Sequence, residues 1–164
     1  MTTTVSIDDV AVTTIDGRDT TLGEFAGRVR LIVNVASTCG HTPQYEALEA
    51  LHRRYAERGL VVLGFPSNQF LQERGDEAAI ARFCRTTYGV SFPMFAKVKV
   101  NGRGAHPLFA ELTRAADDAG KAGRVGWNFE KFLVLPGGQV RRFRSGTQPD
   151  DPAIVALIEA NLPG

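Results

Sequence analysis

Short apolar runs and amphipathic stretches follow one another along most of the chain. Val10 to Ile15 is a run of strand formers closed by Asp16-Gly17, a strong hairpin turn signal, and Asp19 to Leu22 supplies the return strand. Val29 to Ala36 is β-branched and nearly continuous, the pattern of a strand buried on both faces. A tight polar loop follows, Ser37-Thr38-Cys39-Gly40-His41-Thr42. Pro43 suits a first helical turn, with Thr42 as N-cap, and Tyr45, Leu48, Leu51 and Tyr55 then recur at helical spacing. Gly59 ends that helix, and Leu60 to Phe65 reads as a second buried strand, so the segment forms a βαβ unit.

Pro66 to Phe70 leaves this strand as a loop, and a second helix is expected from Asp76 to Thr87 with Ile80 and Phe83 inward. Lys97 to Val100 alternates like a strand before an Asn101-Gly102 turn. Pro107 to Ala116 reads as a helix and Asp117 to Gly126 as a polar, Gly-rich loop. Phe129 to Leu135 and Gln139 to Phe143 flank Pro136-Gly137-Gly138 as a hairpin, and Asp151-Pro152 opens a last helix with Ile154, Leu157 and Ile158 on one face. This order predicts an α/β fold in one domain spanning 1–164, with a central mixed β-sheet flanked by helices and an N-terminal β-hairpin.

Composition narrows the function. The 164 residues carry 19 basic and 18 acidic groups, net +1, which gives no electrostatic reason to expect a nucleic-acid or membrane-surface partner. Two cysteines cannot make a disulfide framework, and the three histidines do not cluster with them at metal-ligand spacing. The start lacks a basic and then apolar leader, and the apolar runs are too short to cross a bilayer, so a cytoplasmic location is expected. In a reducing compartment, two thiols are inert core residues or redox-active ones. Arg53-Arg54, Arg141-Arg142, His52 and His106 read as solvated surface.

Cys39 lies between the end of a buried strand and the start of a helix, the end of an α/β sheet at which sites form. Unpaired N–H groups at a helix N-terminus favour the thiolate, the form that attacks a peroxide or disulfide. His41, two residues on, reads as an exposed loop residue.

Several stretches carry a resemblance: Asn34 to Tyr45, Gly64 to Phe70 followed by Gln72-Glu73-Arg74-Gly75, Phe92 to Phe95, Val100 to Gly102, and Trp127 to Val134. In this order, over nearly the whole chain, they resemble the glutathione peroxidases. The resemblance implies a thioredoxin-like fold, with Cys39 at the place of the family's selenocysteine or cysteine nucleophile. It implies that Cys39 attacks a hydroperoxide, releases water or an alcohol and becomes a sulfenic acid, with no metal, haem or flavin. The family surrounds its nucleophile with Gln, Trp and Asn. Trp127 and Asn128 match directly. The Gln is Gln72, with Gln69 as the alternative, because Arg74 replaces the family's Pro and the stretch lies one residue closer to Phe70 than usual.

Cys84 resembles the second cysteine of members that resolve the sulfenic acid as a disulfide and are reduced by thioredoxin. Ser67 stands where many relatives have a third cysteine. The implied partners are a hydroperoxide and thioredoxin, with glutathione as the alternative reductant, and the short segment between Pro107 and Trp127 resembles monomeric members. A peroxide sensor passing a disulfide to a partner protein shares the first chemical step. A thioredoxin-type Cys-x-x-Cys oxidoreductase does not fit, because Thr42 occupies the second cysteine's place.

Overall fold

The computed structural model describes residues 3–163. Its main sheet has five strands, β1 (Thr3–Thr4), β4 (Val29–Val35), β5 (Leu60–Pro66), β6 (Lys131–Val134) and β7 (Gln139–Phe143), in the order β1-β7-β6-β4-β5. β4 and β5 are parallel and the other pairs antiparallel, so the sheet is mixed. A separate hairpin pairs β2 (Ala11–Thr13) with β3 (Asp19–Thr21) around Asp16-Gly17. The helices are α1 (Gln44–Tyr55), α2 (Glu77–Tyr88), α3 (Pro107–Leu112) and α4 (Pro152–Asn161).

The two-residue period of a strand sends alternate side chains to opposite layers. Val29, Leu31, Val33 and Val35 of β4 pack with Tyr45, Leu48 and Leu51 of α1, Ile80 and Cys84 of α2, and Ile154 and Ile158 of α4. Ile32 of β4 and Val61, Leu63 and Phe65 of β5 pack with Leu108, Phe109 and Leu112 of α3 and with Val5, Ile7, Val12 and Leu22 of the N-terminal segment. Every residue of β4 and β5 is buried, including Arg30 and Asn34 of β4, as their mostly apolar patterns lead one to expect. Gly64 is needed where Pro93 to Phe95 crosses β5, because a Cβ there would sit 2.5 Å from the Met94 sulfur.

Several boundaries differ from expectation. Lys97 to Val100 forms no strand; one bond from the Val98 N–H to the Pro66 carbonyl holds it beside β5. α3 ends at Leu112, where the Thr113 hydroxyl donates back to the Phe109 carbonyl. β6 starts at Lys131, because Phe129 has φ +64 and leaves strand geometry. Thr42 does not cap α1; its hydroxyl is used inside the preceding loop.

The largest corrections concern charge. Arg142 is fully buried, its guanidinium bonded to Glu130 and to the carbonyls of Ala115 and Arg124. Glu130 is also buried and accepts from Arg144, so the ion pair is fully hydrogen-bonded, the condition under which buried charges are tolerated. His52 and His106 are half-buried and accept from the amides of Val62 and Leu108.

Lys131 is buried as well, and its Nζ donates to the Ser145 carbonyl at 3.0 Å. Burial lowers this amine from its ordinary 10.5 to about 7, against the attraction of Glu130. Between about pH 7 and 10.5 the unfolded chain therefore binds more protons here than the native chain, and the contribution of this group to stability rises with pH. Lys131→Met should raise Tm at neutral and lower pH, with the gain shrinking toward pH 10.5. A gain independent of pH over that window contradicts the assignment.

Candidate active site

β4 delivers the chain to the edge of the sheet, and residues 36–43 turn it into α1. Thr42 holds this turn closed. Its Oγ1 accepts the Cys39 amide at 2.9 Å and donates to the Ala36 carbonyl at 2.9 Å, while its own amide donates to the Cys39 carbonyl at 3.0 Å. A second loop is tied on beside it, with the Thr38 amide and hydroxyl both donating to the Gln72 carbonyl, at 3.1 and 2.7 Å.

Cys39 is a buried free thiol with two donors aimed at its sulfur. The indole Nε1–H of Trp127 donates to Sγ at 3.1 Å, and the backbone N–H of His41 donates at 3.3 Å. Donors on a sulfur stabilise it best when it carries negative charge. The Trp127 ring leans on Phe70, with centroids 5.1 Å apart, and is 39 % exposed, so Cys39 lies beneath a lip that solvent reaches.

The other expected residues are placed less evenly. Asn128 follows Trp127 and is fully buried, and neither polar atom of its amide has a hydrogen-bond partner among the described residues. A buried amide left unpaired costs free energy. Gln72 is brought next to Thr38 by its backbone, and its side chain makes no hydrogen bond to a described residue. Gln69 is committed elsewhere: its Oε1 accepts from the Asn101 amide at 2.8 Å and its Nε2 donates to the Asn101 carbonyl at 3.1 Å.

Cys84 is buried on α2, in the same core layer as Cys39. Burial pushes its thiol up to about 11; the neighbouring Tyr45 hydroxyl works against this and the Glu73 carboxyl adds to it. In the folded protein Cys84 is therefore a neutral thiol.

Two contributions escaped the sequence reading. The Thr42 lock looks like a helix cap in sequence, because caps and loop-internal Thr bonds use the same residue type. Asn34 is a buried amide near the end of β4, whose only other polar residue is Arg30, and that break in the pattern is a readable signal.

A mixed sheet with helices on both faces and a cysteine at the strand-to-helix turn, its sulfur bonded by a tryptophan, defines a thiol redox protein on a thioredoxin-like scaffold. The family model described as glutathione peroxidase matches residues 7–113, and the chain belongs to the glutathione peroxidase family. The chain is 47% identical to the "Thioredoxin/glutathione peroxidase BtuE" of Escherichia coli, over 96% of this chain and 97% of that protein. It is 50% identical to the "Hydroperoxy fatty acid reductase gpx1" of Synechocystis, over 90% of each chain. Among solved structures, "T. cruzi GPX1" superposes with a TM-score of 0.69 at 31% identity, over 94% of this chain and 93% of that one. This chain is accordingly a thiol peroxidase acting on hydroperoxides.

Proposed function

We propose that this peroxidase works through Cys39 as nucleophile, with Cys84 as resolving thiol and thioredoxin as reductant. The Cys39 thiolate attacks the distal oxygen of a hydroperoxide, the O–O bond breaks, and an alcohol or water leaves with a proton from solvent. Cys39 becomes a sulfenic acid. The Cys84 thiol then displaces its hydroxyl as water, forming a disulfide that thioredoxin reduces by thiol–disulfide exchange.

The observation that carries this reading is the pair of donors on the Cys39 sulfur, from Trp127 and the His41 amide. Such donors stabilise the thiolate before reaction, and the unpaired Asn128 amide is free to bond the oxygen that gains charge as the O–O bond breaks. Gln72, carried to the site by its bond to Thr38, is assigned to the same oxygen. Thioredoxin is favoured by Cys84, the only other thiol in the chain; the name of the Escherichia coli relative carries both thioredoxin and glutathione. Relatives aligned over nearly all of the chain support one functional domain, and the short stretch between α3 and Trp127 supports a monomer. Free thiols suit the cytoplasm; no described helix is long and apolar enough to cross a membrane.

Trp127→Phe combined with Asn128→Ala removes both side-chain donors, and losing one such donor typically costs about 10²-fold or more. Stopped-flow mixing of the reduced variant with hydrogen peroxide should show Cys39 oxidation slowed by at least that factor. Oxidation at the wild-type rate rejects the assigned site.

A further inference from the structure

From the bonds that converge on one side chain we infer that Asn34 is a positioning residue for the peroxidatic site, acting by holding Trp127 on Cys39 and fixing the backbone of the adjacent Asn128. This inference rests on the site reading given under Proposed function. The β4–β6 ladder has Val33 opposite Lys131 as its last pair. Two residues before Lys131 the chain departs from strand geometry, because Phe129 takes φ +64, a conformation that bulky residues rarely adopt and that persists only where its surroundings enforce it.

Asn34 supplies that enforcement with three bonds. Its backbone carbonyl accepts the Phe129 amide at 2.6 Å. Its side-chain Oδ1 accepts the Glu130 amide at 3.1 Å, and its Nδ2 donates to the Trp127 carbonyl at 3.1 Å. The side-chain amide thus behaves like an inserted peptide group that bridges the strained residue. Asn128 lies between the bonded positions, so its backbone is fixed on both sides. Asn34 itself is fully buried.

The far side of the loop is anchored separately. The Glu130 carboxylate accepts the Gly126 amide at 3.1 Å and is clamped by Arg142. This leaves the strained segment 127–129 dependent on Asn34 at its strand end. Only a side chain with one donor and one acceptor at this reach makes both bonds. Alanine makes neither, and serine is too short to span them together.

The test uses the fact that Trp127 is the chain's only tryptophan, so intrinsic emission reports its contact with Cys39 directly. Asn34→Ala and the milder Asn34→Ser are compared with wild type and with Trp127→Phe/Asn128→Ala. Both Asn34 variants should be folded by circular dichroism at 25 °C. They should oxidise with hydrogen peroxide at least about tenfold more slowly, a smaller loss than deleting the donors outright. Their Trp127 emission should be shifted to the red in the reduced state and should change little when peroxide is added. Adding Asn34→Ala to Trp127→Phe/Asn128→Ala should cost less than about twofold more, because a residue acting through those two side chains is not additive with them.

A wild-type oxidation rate in a folded Asn34→Ala protein overturns the inference. So does full additivity in the triple variant, and so does failure of both Asn34 variants to fold, which would make Asn34 a fold residue. These results are separable from failure of the site reading. If Trp127→Phe/Asn128→Ala oxidises at the wild-type rate, the site itself is wrong; if that variant is slow and Asn34→Ala is fast, only the role of Asn34 falls.

Discussion

Cys39→Ser should lose at least about 10³-fold in kcat/KM for hydroperoxide, equivalent to about 4 kcal/mol of barrier. The substitution is close to isosteric at a buried position, and the serine hydroxyl can keep the bond from the Trp127 indole, so the fold should survive. What is lost is the chemistry. A hydroxyl stays protonated near neutral pH, and neutral oxygen is a poor nucleophile toward an O–O bond, whereas a thiolate is a strong one. The local donors cannot rescue it, because two hydrogen bonds do not ionise an alcohol. Steady-state turnover, with thermal unfolding as a control for folding, measures the effect. A loss below tenfold in a folded variant removes Cys39 from the nucleophile's role.

Cys84→Ser should separate the two halves of the cycle. The first peroxide reaction should keep its rate, while thioredoxin-driven turnover falls by at least about tenfold, since exchange with thioredoxin needs a disulfide to attack. On the proposed cycle, resolution by Cys84 is a gated step. Cys84 is buried and its thiol is pushed up to about 11, so in place it is neutral and a weak nucleophile. The proposed cycle requires α2 to open, which would expose Cys84, remove the burial that holds its proton on, and let it meet the Cys39 sulfenic acid. α2 is suited to open. Ile80 and Cys84 are its only fully buried residues, so little burial opposes opening beyond the Asp76 cap on the Ala79 amide and the left-handed Gly89 at its end. Elements with few buried contacts open at lower free energy than the global fold. In the variant, the sulfenic acid should persist long enough to be trapped, or proceed to the sulfinic form with excess peroxide. Normal thioredoxin turnover by Cys84→Ser favours a cycle resolved by glutathione or another small thiol.

Much of this arrangement was legible in the sequence, and the parts that were not share physical causes. β4 and β5 were legible because strands buried on both faces are apolar over most of their length. The hairpin at Asp16-Gly17 was legible because the turn demands those residue types. The thioredoxin-like fold and the glutathione peroxidase family followed from the motifs around Cys39 and Trp127. Arg142 misled because a buried, paired arginine and a solvated one are the same letter. Its partner Glu130 lies across the β6–β7 hairpin, a neighbour in space that adjacency in the chain does not reveal. Phe129 misled for a related reason: nothing in its composition announces a positive φ, which is imposed by bonds from Asn34. The alternation of Lys97 to Val100 has the period of a strand but only a single bond to the edge of β5, and period without a partner does not make a strand. β1 is the converse case. Two threonines are strand formers but too short a run to stand out in the sequence, and they pair with β7 beside the Val5 amide, which donates to the Gly138 carbonyl.

The most direct test of the two-cysteine peroxidase is a single turnover with one equivalent of hydrogen peroxide, followed by thiol titration and mass spectrometry of the digested chain. The account predicts that peroxide is consumed, that both thiols disappear together, and that Cys39 and Cys84 are recovered in one disulfide-linked peptide pair. Consumption of peroxide with Cys84 still free, or persistence of peroxide with both thiols intact, contradicts it.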